Sequence, residues 1–220
     1  GTVGTSLSVK ITGVNFESGT TASFGDDVTV VSTTFTSSQE LTVAIQIPMT
    51  AAIGPRGVTL TNTDGKTYTR QSAFTVLPLP PTMSLAFQGK LRDKVGNTPT
   101  ALAPDGALDG TFRVTVNGGI WPRTVTRLDL RRVPVGGIWD TDPATSYWAL
   151  GVTANLDGAL LNTANGTVSF GVADGGSFYV FASDLSPTPF SGGSVFTLSA
   201  NFADGTSAIT TVTLPAAPTI

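Results

Sequence analysis

The chain contains no cysteine and no histidine. Without cysteine, neither a disulfide framework nor a thiolate zinc site can form. Without histidine, the commonest general base is gone, and with it the Ser-His-Asp and Cys-His arrangements and most zinc, copper and non-haem iron sites. Charge is scarce as well: only 12% of the residues are Asp, Glu, Lys or Arg, about half the ~25% of an average globular protein. Glutamate occurs only at Glu17 and Glu40. The net charge of −3 is too small to attract nucleic acid, and no Lys/Arg cluster forms a stripe, so nucleic acid is not an expected partner. No apolar run approaches the ~18 residues of a membrane-spanning helix, so no membrane insertion is expected. No signal-peptide pattern is read at the start; the sequence is expected to begin inside a module, with any export signal expected upstream or already removed.

What remains is ordinary in amount and unusual in kind. Hydrophobic residues make up 40% of the 220, enough for one or two self-sufficient cores. With so few charges, the polar surface must come from Thr, Ser, Asn and Gly, a composition common in secreted β-proteins. Short β-branched runs bounded by Gly, Asp, Asn or Pro recur from end to end. They are 28–31, 41–47, 58–61 and 73–76, then 112–116, 125–130, 168–172, 178–181, 195–200 and 207–214. No window of about 11 residues carries an apolar stripe of helical period. Turn signals every ~8–12 residues predict an all-β chain of sandwiches rather than a βαβ sheet.

Leu77-Pro78-Leu79-Pro80-Pro81 marks a boundary, since three prolines in five residues favour a short, extended polyproline linker. Before it, acidic and basic residues number five and four; after it, ten and eight. The expected organisation is therefore a first sandwich over 1–77, a linker over 78–81 and a larger antiparallel sandwich over 82–220.

The first segment carries a set of local patterns: Gly4-Thr5, then Ile11-Thr12-Gly13-Val14-Asn15-Phe16, Ala22-Ser23-Phe24-Gly25, and Gly54…Arg56…Val58-Thr59-Leu60-Thr61-Asn62…Asp64-Gly65 ahead of Phe74. Ile11 and Phe16 are expected to bury against an opposite sheet, Gly13 to allow a kinked or bulged strand, and Asp64-Gly65 to form a hairpin turn needing positive φ. On these residues, 4–76 resembles the IPT/TIG family of immunoglobulin-like domains, found in bacterial surface proteins, secreted enzymes and some receptors and transcription factors. The resemblance implies a fold and no single activity. Such domains usually begin with a further Pro-containing strand just before the position of Gly4-Thr5, and here the end of the chain, Ala216-Ala217-Pro218-Thr219-Ile220, looks like that strand. Two expectations follow: a boundary within a longer multi-module chain, or addition of the 216–220 stretch to the open edge of a neighbouring copy, which would build a head-to-tail filament. Residues 82–220 are loosely similar to C2-like or carbohydrate-binding β-sandwiches of bacterial extracellular proteins.

Ten of the 13 Asp lie in the second segment, mostly on loops. Asp93, Asp105, Asp109, Asp140, Asp142 and Asp184 are candidate calcium ligands, because calcium needs about six to eight oxygens and loop carboxylates at one end of a sandwich can supply them. They lack the regular D-x-D-x-D-G spacing, and turn formation explains the same residues; Asp64, Asp174 and Asp204, each before a Gly, read as turns. A carboxylate pair for glycoside hydrolysis would have to use Asp in both roles, and the chain is not expected to be an enzyme. Trp121 and Trp139 are candidate sugar-stacking residues, with Tyr147 and Trp148 beside Trp139; buried, the same rings are core. Arg127, Asp129 and Arg131 alternate along a half-buried strand, which cross-strand ion pairs or edge protection would explain.

The sequence thus predicts a non-catalytic structural or adhesive module pair, secreted or on a bacterial cell surface. Its expected partners are neighbouring copies or adjacent modules, with a possible structural calcium. The alternative is a carbohydrate-binding accessory region of a polysaccharide-active enzyme.

Overall fold

The computed structural model describes residues 1–96, 102–118, 122–133, 149–163, 166–183 and 192–215. Among the described residues there are fourteen β-strands and no helix, in four antiparallel sheets, the all-β architecture expected from the alternating runs. The chain divides into two compact units, Gly1–Leu79 and Pro80–Ile220.

The first unit holds β1 (Ser6–Thr12), β2 (Thr21–Ser23), β3 (Thr29–Ser37), β4 (Glu40–Gln46), β5 (Gly54–Thr61) and β6 (Thr67–Val76). One sheet has the order β1-β4-β3, the other β2-β5-β6. The period of two decides which side chains meet. On β4, Leu41, Val43 and Ile45 point inward and are at most 1% exposed. Val43 and Ile45 share one core with Val58 of β5, Val76 of β6, Phe24 and Ile47. Phe24 and Phe74 meet edge to face at 5.1 Å, a favourable aromatic geometry. The outer face of β2-β5-β6 is hydroxylic: Thr21, Thr61 and Thr67 form one cross-strand row, and Ser23, Thr59 and Thr69 the next. Uncharged hydroxyls therefore supply the water-facing surface that the scarce charges cannot.

The second unit holds β7 (Thr82–Arg92), β8 (Asp109–Asn117), β9 (Arg123–Val133), β10 (Leu150–Thr153), β11 (Thr167–Val172), β12 (Ser177–Ala182), β13 (Val195–Phe202) and β14 (Ser207–Thr213). The sheets run β10-β12-β8-β7 and β11-β9-β13-β14. Their facing residues make one continuous core, with Phe112, Val114, Val116, Phe178 and Val180 from one sheet and Leu128, Leu130, Phe196 and Leu198 from the other. Phe112 stands at its centre, 5.2 Å from Phe87 and 5.1 Å from Phe196 between ring centroids. Strand β12 is apolar on both faces because its second face is covered too: Phe181 packs with Val95 and Ala149, and Tyr179, Leu102 and Leu156 flank them.

Three expectations need correction or sharpening. Gly13 is not inside a strand: β1 ends at Thr12, and Gly13 lies under the Phe16 ring. Strand β9 is interior to its sheet, so Arg127 and Asp129 do not protect an edge; they pair with each other along the strand (Nε to Oδ2, 3.3 Å). The proline-rich 78–81 stretch is partly absorbed by structure, with Leu79 packed on the first core and β7 beginning at Thr82. The expected turns at Asp64-Gly65, Asp174-Gly175 and Asp204-Gly205 are present, each Gly at φ between 70° and 81°.

Candidate functional site

In the first unit β2 and β3 lie against each other, closing one side of the sandwich. The other side is open. There β1 is the outer strand of its sheet and β6 the outer strand of the second, so along most of its length each presents a row of backbone groups with no strand beside it among the described residues. Between them runs a groove of about 650 Å³, lined by Val9, Ile11, Phe16, Leu60, Tyr68 and Phe74 among others.

Register shows that these are core-facing positions left uncovered. Leu7, Val9 and Ile11 stand opposite Ile45, Val43 and Leu41, and residues directly opposite in an antiparallel pair share a face. Their partners on β4 are buried, yet all three are only half-buried. On β6, Tyr68 is opposite Leu60 and Arg70 opposite Val58, so both point to the inner side. Tyr68 is nevertheless 67% exposed. An aromatic ring at an inward register position with two-thirds of its surface open to water is the sign of an unfilled layer.

The far end of the groove is rigid. A Cβ on Gly13 would lie 2.5 Å from Cζ of Phe16, so only glycine lets that ring close over the end of β1. Asn15 holds φ 60°, and its carbonyl accepts from Asn62 Nδ2 at 2.9 Å. The hydroxyl of buried Thr20 donates to Asn62 Oδ1 at 2.7 Å and accepts from the Glu17 amide at 2.9 Å. At the near end the chain's first residues occupy the space: Leu77 N donates to Gly1 O (2.8 Å), and Val3 N to Leu77 O (3.0 Å), a parallel pairing centred on Thr2 and Leu77. The lining holds no carboxylate. Its Lys10 is paired with Glu40 at 2.6 Å and its Lys66 with Asp64 at 2.5 Å. The hydrogen bond from Lys66 holds the Asp64 carboxyl below its ordinary value. The groove offers apolar surface and two hydrogen-bonding edges.

The acidic residues read from sequence fare differently. Asp93, Asp105 and Asp109 lie near enough to interact, and each accepts hydrogen bonds from backbone amides. Asp93 accepts from the amides of Asp105 (3.0 Å) and Gly106 (2.7 Å), Asp105 from Ala107 (3.0 Å), and Asp109 from Lys94 (2.6 Å) and Val95 (3.0 Å). Asp109 is 1% exposed. Burial pushes its carboxyl up to about 7, with Asp93 and Asp105 adding to the rise and the two backbone amides opposing it. Its physical job is to seat Val95 in the outer cluster of β12. Among the described residues no group of three or more His, Cys, Asp or Glu is gathered to hold a metal. Asp140, Asp142, Asp184, Trp121 and Trp139 lie outside the described residues.

An open edge in the first unit was expected from sequence, but the β1–β6 groove and its lining were not singled out. One signal was there: 67–70, Thr-Tyr-Thr-Arg, alternates like a strand yet offers Tyr and Arg where a covered sheet would have two apolar residues.

No protein-family model matches the chain, and no curated protein matches it. Among solved structures, one that is similar is the Yersinia pseudotuberculosis adhesin InvE, at 16% identity and a TM-score of 0.37. That alignment covers 97% of this chain and 56% of the adhesin, so the chain spans little more than half of that structure's length.

Proposed function

We propose that the chain is a non-catalytic structural and adhesive module pair of a secreted or cell-surface protein, and that its first unit works by accepting an added β-strand. The observation that carries this reading is the pair of free edges, β1 and β6, flanking an apolar groove whose core-facing residues are half-exposed. A strand laid there gains backbone hydrogen bonds from an edge and buries apolar side chains in the groove, the two terms by which strand addition binds. Repeated head to tail, the same contact joins copies into a filament, because the donor and acceptor surfaces differ and the contact does not close on itself.

Sedimentation velocity across a concentration series, with negative-stain microscopy of the same samples, tests it. The wild-type chain associates as concentration rises, and Ile11→Lys, which puts a charge into the half-exposed groove and leaves the buried core intact, keeps it monomeric. Monomers of wild type at every concentration, or association indifferent to Ile11→Lys, overturns the reading.

A further inference from the structure

We infer that the second unit is shut to strand addition by its own Asn162, whose side-chain amide takes the place of a partner strand along the edge of β10. The inference extends the strand-acceptor reading to the second unit, and its test stands whether or not the first unit accepts a strand.

The second sandwich has two sides where its sheets end. On one, β7 and β14 lie against each other. On the other, β10 ends one sheet and β11 the second, the arrangement that leaves the first unit open. Here a short stretch, 160–162, crosses the gap. It makes an antiparallel bridge to β10 through Leu160 and Thr153, and another to β11 through Asn162 and Val168. Three backbone groups on the outward edge of β10 are taken by it. Leu161 N donates to Val152 O at 2.7 Å. Asn162 Oδ1 accepts from Val152 N at 2.9 Å, and Asn162 Nδ2 donates to Leu150 O at 2.8 Å.

A carboxamide carries a donor and an acceptor on one planar group, as a peptide unit does. An ionised aspartate has acceptors only, and leucine has neither. Asn162, Val152 and Leu150 are all buried, so water cannot take over a bond that is lost. The two leucines fix the amide in place. Leu161 packs on the main core, and Leu160 lies over Gly151, where a Cβ would come within 3.0 Å of Leu160 Cδ2 and 2.6 Å of Val95 Cγ1. A strand approaching β10 finds these edge groups already satisfied and gains nothing from them. On the strand-acceptor reading, each copy then has one accepting unit instead of two.

The test uses the full chain carrying Ile11→Lys, so that any added association comes from outside the first groove. Asn162→Leu has nearly the same size and neither hydrogen-bonding group. It should speed amide exchange at Val152, read by NMR, by roughly tenfold or more. In sedimentation velocity it should associate more strongly than its Ile11→Lys parent as concentration rises. Asn162→Asp keeps an acceptor for Val152 N and loses the donor to Leu150 O. It should also associate, with slower exchange at Val152 than Asn162→Leu, and it decides the case if the leucine variant does not fold. Leu198→Ala, in the core on a strand away from that edge, controls for lost stability and should associate no more than the parent. Unchanged exchange at Val152 in Asn162→Leu overturns the inference. So does an Asn162 variant that folds and associates no more than the parent, because the edge is then closed without the amide. Equal association in Leu198→Ala overturns it too, since lost stability alone would then be the cause.

Discussion

The two units solve one problem, how to bury the inner faces of two sheets, with different completeness. In the second, each outer strand's inner face reaches one shared core: Leu85 of β7, Val152 of β10, Val168 of β11 and Ala208 of β14 are all below 10% exposed. In the first, Leu7, Val9 and Ile11 of β1 are only half-buried and Tyr68 of β6 is exposed, although Val76 of β6 is buried with Phe24, Val43, Ile45, Ile47 and Val58. Completeness follows from strand count: eight strands let each sheet place two between its edges, whereas three-stranded sheets have one interior strand each. Module one is therefore built like a receptor and module two like a closed block.

The largest expected effect tests the closed block. Phe112→Ala removes a fully buried ring from between Phe87 and Phe196 and should lower the stability of the second unit by about 3–5 kcal/mol. All three Trp lie beyond residue 120, so Trp fluorescence in denaturant reads that unit selectively. Phe24→Ala, beside a groove into which neighbours can relax, should cost about 2–3 kcal/mol in the transition seen by far-UV circular dichroism. Equal losses at the two sites would erase the proposed contrast.

Next comes pH, whose largest effect should fall on the second unit. Asp109 keeps its proton up to about pH 7 in the folded chain, against an ordinary value of 3.8. Between those values the folded state binds more protons than the unfolded one, so stability falls as pH rises. About three units at ~1.4 kcal/mol each set an upper bound of roughly 4 kcal/mol, and the two amide hydrogen bonds that survive ionisation make a smaller loss the expectation. Asp109→Asn keeps the shape and an acceptor, and should flatten the dependence between pH 4 and pH 7. A wild-type profile that is flat or rises over this range would show that the amides of Lys94 and Val95 hold the charge.

How much of this could be read beforehand differs between the units for the same physical reason. The alternation in 41–47, 112–116 and 195–200 located β4, β8 and β13, because interior strands must place an apolar residue at every inward position. Strand β7 was not identified, since Gln88, Gly89 and Lys90 interrupt its pattern, and β10 was not, since four residues are too few to show a period. The turn at Asp64-Gly65 was legible because positive φ selects its residue. What local pattern could not show was the tertiary role of Asp109: a loop aspartate before glycine looks like turn chemistry, and only the fold reveals that its carboxylate reaches back fourteen residues to the Val95 amide. The groove was hidden for a related reason, as an inward register position is recognisable only once the partner strand is known.

Arg123 offers a smaller test of the closed block. Its guanidinium is buried, donating to Asp204 and Thr206 at 2.5 Å and lying 5.8 Å from the Phe202 ring centroid. Arg123→Ala leaves Asp204 without that partner and opens space beside Phe202, at a cost of about 2–3 kcal/mol. Arg123→Lys should recover only part, because a compact ammonium gives up the flat guanidinium that lies over the Phe202 ring. Full recovery by Lys would mean that charge alone matters there.

The smallest expected effect is the most informative about the open unit. Tyr68 occupies a core-facing register position opposite Leu60, where truncation of a covered aromatic would cost several kcal/mol. Because the ring is 67% exposed, Tyr68→Ala should change the stability of the dilute, monomeric chain by no more than about 0.5 kcal/mol. At concentrations where chains associate, the same substitution should weaken association by roughly tenfold, since the ring then loses burial worth about 1.5 kcal/mol. An effect that depends on concentration in this way cannot come from packing within one chain. If the variant instead destabilises the dilute monomer and leaves association unchanged, Tyr68 belongs to a closed core after all, and the first unit is a sandwich of the same kind as the second.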